Sequence, residues 1–267
     1  MRGAAAACYD ASVAAAALST GTEGSAMVAY HGAHVVVTGG TGALGSAVVG
    51  ALRAAGAVCH VTNIVPEELE RFPHRNDPGV HVTTGIDLAD EAAVRRFYAS
   101  LPPLWASIHL AGGFAMSPVA ETSAVDFADQ FQMNALSAFL CSAAAIRAIR
   151  ARNGPGPGGA RGGRIVNVAA RPGIEPRLGS GMVAYATAKA AVAAMTEALA
   201  QETAGEEIWI NAVAPSILDT PANRAAMPDA DHSQWVKPDA VADVIAFLAS
   251  PDNRVTRGAV IPVYGGV

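Results

Sequence analysis

Residues 35–49, VVVTGGTGALGSAVV, constrain the chain more than any other feature. An apolar β-branched run passes at once into a glycine-dense turn and then into a run of small, helix-compatible residues. Gly40, Gly42 and Gly45 satisfy G-x-G-x-x-G, while Thr38, Gly39, Ala43 and Gly45 equally satisfy T-G-x-x-x-[AG]-x-G. Both patterns serve the same physics: backbone bare of side chains lets a pyrophosphate approach the N-terminus of the next helix, where free N–H groups and the helix dipole attract negative charge. A strand before the glycines and a helix after them is the context that makes such a pattern informative.

The rest of the chain repeats that strand-then-helix alternation. Strands are expected at 34–38, 58–62, 80–83, 105–110, 164–168, 208–213 and 259–263, separated by Ala-rich segments of helical length. Repeated βα units imply an α/β fold, here a doubly wound, parallel, seven-stranded sheet in a single Rossmann-type domain. Helices are expected at 46–55, stopped by Gly56, and at 91–100, with Asp90 as N-cap. Ser123 opens an S-x-x-D box and a long helix to about Ala151, in which Phe127, Phe131 and Phe139 recur at helical spacing and read as packing residues. NGPGPGGARGG, residues 153–163, reads as a solvent-exposed loop, and further helices are expected at about 185–203 and 238–250. The domain is assigned to residues 31–267, behind an Ala-rich extension, residues 1–30, whose apolar runs Asp10 interrupts before they reach the length of a secretion signal.

Composition narrows the function classes. Hydrophobic residues make up 51% of the 267 and charged residues 15%, which excludes disorder for the chain as a whole. A net charge of -5 gives no footprint for nucleic acid. No uninterrupted apolar run reaches membrane-spanning length. Cys8, Cys59 and Cys141 lack the spacing of a disulfide framework or zinc cage, so a reducing, cytoplasmic location is expected. His31 with His34, and Asp229 and Asp231 with His232, each lack a third ligand at recognisable spacing, so no metal site is assigned.

Two further positions bear on a dinucleotide. Asn63 ends the second strand, where an acid would bind a free ribose 2'-hydroxyl and an Arg would favour a 2'-phosphate; an amide does neither decisively. Arg71, His74 and Arg75 follow, either as a solvated loop or as partners for that phosphate, so NADH and NADPH both stay open as the cofactor. Asp87, ending the third strand, is placed to accept from an adenine amino group. Tyr185 and Lys189 stand four apart at the start of a helical pattern and share a face. An ammonium beside a phenol stabilises the phenolate and lowers its pKa, which suits general acid catalysis.

With these residues in view the chain from about residue 33 onward resembles the short-chain dehydrogenase/reductase family. The matching stretch Thr38, Gly39, Gly40, Thr41, Gly42, Ala43, Leu44, Gly45 is joined by Asp87 and Leu88, by Ala111, Gly112 and Gly113, by Asn134, by Val168 at the end of the fifth strand, by Tyr185 with Lys189, and by Pro215, Leu218 and Thr220. The resemblance implies NAD(P)H as cofactor and a small-molecule substrate. It further implies Tyr185 as proton donor, Lys189 as holder of the nicotinamide ribose, Asn134 as support for a proton relay, and a 215–220 loop closing over the nicotinamide. Self-association as a dimer or tetramer through the long helix and the Tyr185 helix is implied as well.

Two departures shape the expected chemistry. His109 and Leu110 stand where the family has Asn-Asn, and Ala170 stands where it has a catalytic Ser; Ser180 is the nearby hydroxyl that could substitute. The lid LDTPANRAAMPDADHSQW, residues 218–235, with AGGF and GMVAYATAK, is similar to the dihydropteridine reductase branch, which also lacks that serine. The resemblance then implies hydride transfer to a conjugated acceptor such as a quinonoid dihydropterin, with no ketone oxygen to be held. The rival readings are a carbonyl or ketoacyl reductase and a cofactor-sensing protein without turnover. His109 reads as a structural histidine at the cleft, and Trp235 either packs the lid or stacks on a flat substrate.

Overall fold

The computed structural model describes residues 30–152, 154 and 156–266. Seven strands form one parallel sheet: β1 (His34–Thr38), β2 (Val58–Asn63), β3 (Val80–Thr84), β4 (Leu104–His109), β5 (Gly163–Val168), β6 (Ile208–Pro215) and β7 (Val260–Val263). Their spatial order is β3-β2-β1-β4-β5-β6-β7, so the chain reverses direction across the sheet between β1 and β4. That reversal opens a crevice at the C-terminal ends of these two strands, where open α/β sheets bind ligands. The expected strands are all present, within one or two residues of their expected ends.

Helices α1 (Ala43–Ala54), α2 (Pro66–Arg71), α3 (Glu91–Ala99), α4 (Ala124–Phe131), α5 (Ser137–Ala151), α6 (Arg171–Ile174), α7 (Val183–Glu202), α8 (Pro221–Ala226) and α9 (Pro238–Ala249) connect them. Strand side chains alternate between two cores. Val35 and Val37 of β1 pack under α1 and α9, whereas Val36 packs under α3 and α5 with Phe97, Tyr98 and Ile146. Both faces are covered, which is why the strands read as continuous apolar runs. Asp90 caps α3 as expected, accepting from Ala92 N and Ala93 N, and Ser123 and Asp126 form a reciprocal capping box on α4.

Three expectations need correction. The long helix from Ser123 is not uniform: α4 and α5 are joined by a π-helical turn, Gln132–Leu136, which inserts a wider loop of backbone at Asn134. The glycine-proline stretch is not simply solvent-exposed, because Gly156 lies so close to the Trp105 ring that a Cβ would sit 2.3 Å from Cε3, and Pro157 is buried. Tyr30, placed in the N-terminal extension, belongs to the core: it is fully buried and its hydroxyl donates to the Ala246 carbonyl at 2.7 Å. The remainder of that extension, residues 1–29, lies outside the described residues.

Candidate active site

The glycine turn closes on itself and on the loop after β4. Gly39 has φ +63°, and a Cβ there would stand 2.9 Å from Ala111 N and Cα. A Cβ on Gly45 would stand 2.3 Å from the Gly39 carbonyl oxygen, so only glycine lets α1 approach the turn this closely. Gly42 is the N-cap, extended and without a side-chain cap bond, and the first turn carries no acid. The helix therefore presents unsatisfied N–H groups and its positive end to whatever occupies the space in front of it.

That space is a cleft of about 570 Å3, within the range of cofactor sites. Gly39, Thr41, Gly42, Ala43, Leu44, Gly45, Asn63, Asp87, Leu88, Ala111 and Gly112, all expected at a cofactor, line it. Thr38 and Gly40 stand behind the lining. Thr38 is buried with its hydroxyl accepting from Ala111 N at 3.3 Å, and Gly40 is pressed against Val61. Gly113 and Val168 instead hold the polar side chains described below, while Pro215 ends β6 and Leu218 and Thr220 belong to the segment after it. The bare cradle and the cleft fit a dinucleotide.

At the β2 end of the cleft Asn63 is buried and its amide is spent, donating to Thr41 Oγ1 and to the Val65 carbonyl, both at 2.8 Å. The Thr41 hydroxyl in turn donates to Glu68 Oε2 at 2.9 Å. Glu68 has no counterpart in the sequence reading, because it sits on the six-residue α2, too short to show a periodic pattern. Arg71 and Arg75 are exposed and donate to the carbonyls of Glu67 and Glu70, and His74 is bonded to the Ser46 carbonyl; none of them lines the cleft. The two arginines are therefore solvent-exposed, Arg71 at the end of α2 and Arg75 beyond it.

The expected acid, relay and ribose holder converge beyond Gly112. A Cβ at Gly112 would lie 2.4 Å from Asn134 Oδ1 and 3.6 Å from Lys189 Nζ, so glycine is what leaves room for both. Asn134 is pinned from the π-turn: its amide donates to the Gly113 and Gln130 carbonyls at 3.0 Å, and its Oδ1 accepts from Gly113 N. Lys189 Nζ donates to the Val168 carbonyl at 2.8 Å and stands 5.8 Å from the centre of the Tyr185 ring. Burial pushes the Lys189 ammonium down to about 8. Burial also pushes the Tyr185 phenol up to about 12, which corrects the expectation of a lowered value: Lys189 is aimed at a carbonyl, and loss of water dominates the phenol's surroundings. Phe114, unremarked in the sequence, meets the Tyr185 ring edge-on at 4.9 Å and walls the acid on one side.

Ala170 is buried as the N-cap of α6 and offers no hydroxyl. Ser180 is exposed in the turn before α7, with no hydrogen bond to Tyr185 among the described residues. His109 is structural: it is buried between Ser107 and Asn167 at 2.8 Å each, and burial lowers it to about 4, keeping it neutral. The lid is likewise tied down. Asp219 is held well below the usual carboxylate range by Arg224 and Lys237, Thr220 caps α8, and Asn223 donates to the Leu218 carbonyl. Trp235 is buried against His232, with ring centres 4.4 Å apart, which favours packing over stacking on substrate. Among the described residues no group of three His, Cys, Asp or Glu side chains is placed to hold a metal, and no helix is long and apolar enough to cross a membrane.

Comparison with known proteins agrees with this geometry. Residues 33–231 match the family described as short chain dehydrogenase. Bovine L-xylulose reductase is 28% identical over 245 residues, covering 88% of this chain and 96% of that one. A 3-oxoacyl-[acyl-carrier-protein] reductase FabG from Thermotoga maritima is 39% identical over 115 residues, covering 40% of this chain and 46% of that one. In structure, a short-chain type dehydrogenase/reductase from Mycobacterium ulcerans superposes with a TM-score of 0.77 at 21% identity, covering 90% of each chain.

Proposed function

The chain belongs to the short-chain dehydrogenase family, and from that premise we propose that it reduces a small, flat, conjugated acceptor with the Tyr185 phenol as proton donor. The enzymes of this family are NAD(P)-dependent oxidoreductases, and a dinucleotide bound in the cleft supplies a hydride. The chain's own residues supply the proton and the geometry.

Tyr185 begins with its proton in place, since a phenol pushed up to about 12 is fully protonated at neutral pH. Tyr185 is half-buried with Phe114 edge-on to its ring, which holds the ring in place beside the cleft while its hydroxyl meets the substrate. Lys189, pushed down to about 8, sits near neutrality and is able to pass a proton toward Tyr185, while Asn134 fixes the Gly112–Gly113 backbone against which Lys189 stands. Lys189 and Val168 together hold the ribose side of the site, and the 215–220 segment covers it.

The observation that carries the choice of acceptor is Ala170. A ketone needs a donor for the oxygen that gains charge. At the usual position this chain has a methyl group. A quinonoid dihydropterin delocalises that charge over its rings and needs only the proton from Tyr185. The aromatic wall of Phe114 and the dihydropteridine reductase-like lid, residues 218–235, support the same reading. A second reading, a carbonyl reductase, is favoured by the named activities of the relatives, L-xylulose reductase and a 3-oxoacyl reductase. Turnover of quinonoid dihydropterin, L-xylulose and a 3-oxoacyl thioester, each followed by loss of reduced-nicotinamide absorbance, separates them. Faster turnover of the pterin supports the first reading. Faster turnover of either carbonyl compound replaces it with the second. The domain carrying this activity is the β1–β7 unit with Tyr30 included.

A further inference from the structure

Of the cleft's carboxylates, Glu68 and Asp129 have no part in the machinery above, and Glu68 is the one beside the glycine cradle. Glu68 is half-buried at the β2 end, with Oε2 fixed by the Thr41 hydroxyl at 2.9 Å and Oε1 without a hydrogen-bond partner among the described residues. A Cβ on Gly42 would lie 3.6 Å from Oε1, so this oxygen stands beside the cradle at the start of α1. The support behind it is stiff. Asn63 holds Thr41 from the end of β2, Thr41 holds Glu68, and α2 is anchored by the buried Phe72 in the core under α1.

We infer that Glu68 selects NADH over NADPH by accepting hydrogen bonds from the adenosine ribose and repelling a phosphate there, as the neutral Asn63 amide does not. The inference rests on reading the cleft as a nicotinamide dinucleotide site. An ionised carboxylate accepts strongly from a vicinal diol and repels a phosphate ester at the same carbon. Asn63 has no donor left for a phosphate, because both amide hydrogens are engaged within the protein, and its neutral amide oxygen does not repel one. The surroundings offer a phosphate nothing. Among the described residues the cleft lining carries three carboxylates, Glu68, Asp87 and Asp129, and no lysine, arginine or histidine. Arg71 and Arg75, the cations nearest in sequence, are exposed on α2 and beyond it and are bonded to backbone carbonyls of their own turn. The acid thus reaches the ribose from a helix five residues past the strand end, through a side chain one methylene longer than aspartate.

The test is direct titration of the full chain with NADH and with NADPH, followed by reduced-nicotinamide fluorescence, for the wild type, Glu68→Gln and Glu68→Arg. The inference expects the wild type to bind NADH about 100-fold more tightly, from one charge-assisted hydrogen bond gained and one repulsion avoided. Glu68→Gln should reduce that ratio to several-fold or less, with most of the change in NADPH affinity, and Glu68→Arg should invert it. A wild type that binds NADPH as tightly as NADH, or a Glu68→Gln variant that keeps the full ratio, overturns the assignment while leaving the cleft a dinucleotide site. Failure of the folded wild type to bind either dinucleotide overturns the cleft reading and the assignment together.

Discussion

Lys189 is a buried cation with no anionic partner among the described residues, and its cost to the fold is measurable. Burial lowers it from 10.5 to about 8; at about 1.4 kcal/mol per pH unit, that difference of about 2.5 is about 3 kcal/mol. The sign follows from proton counting. Between pH 8 and 10.5 the unfolded chain keeps a proton that the folded chain has released, so this group makes stability rise with pH across that window. Below pH 8 both states are protonated and the whole penalty is present. Lys189→Met keeps most of the side-chain volume, removes the charge and forfeits the bond to the Val168 carbonyl, an offset of about 1 to 2 kcal/mol. The variant should therefore be more stable than the wild type by about 1 to 2 kcal/mol near pH 7. That advantage should shrink by about 3 kcal/mol, and so change sign, by about pH 10.5. Urea unfolding of both proteins at a series of pH values reads the difference directly, because other titrating groups cancel. A difference that does not vary with pH, or that grows in the variant's favour as pH rises, refutes the account of Lys189 as a desolvated cation.

Other perturbations follow from single contacts. Gly45→Ala forces a Cβ to 2.3 Å from the Gly39 oxygen; a loss of about 3 kcal/mol in chemical denaturation and weakened dinucleotide binding are expected, and a variant unchanged in both removes the close approach from the argument. Tyr30→Phe leaves the buried Ala246 carbonyl without its donor and should cost about 1 to 2 kcal/mol, whereas no change in stability would put Tyr30 outside the cooperative core. Ala170→Ser returns a hydroxyl to the β5–α6 junction and should raise ketone turnover about 10-fold or more with little effect on a quinonoid dihydropterin; equal effects on both would sever Ala170 from acceptor choice.

Features that repeat along the chain were legible from its sequence. The seven strands, the glycine turn, and the shared face of Tyr185 and Lys189 each rest on a local period or spacing that tertiary packing had no cause to override. What was not legible depends on contacts between distant segments. Glu68 lies on a six-residue helix held by Phe72, and nothing in PEELER signals that its second acid reaches back to Thr41. Asn134 is marked only by the family resemblance, and the π-turn that aims it is indistinguishable in sequence from ordinary helix. Gly156 and Pro157 read as breakers, and only the Trp105 ring turns their stretch into a packed one. The spacing of Tyr185 and Lys189 suggested a lowered phenol pKa, whereas the structure sends the ammonium to Val168 and lets burial decide.

The central claim is that Tyr185 delivers the proton in a nicotinamide-dependent reduction. Tyr185→Phe keeps the ring against Phe114 and removes only the hydroxyl, so comparing its turnover and its dinucleotide affinity with those of the wild type isolates that role. The account predicts turnover reduced by about 100-fold or more, on the acceptor that the wild type reduces fastest, with dinucleotide affinity unchanged within about twofold. Turnover near the wild-type rate, with the dinucleotide still bound, would contradict it.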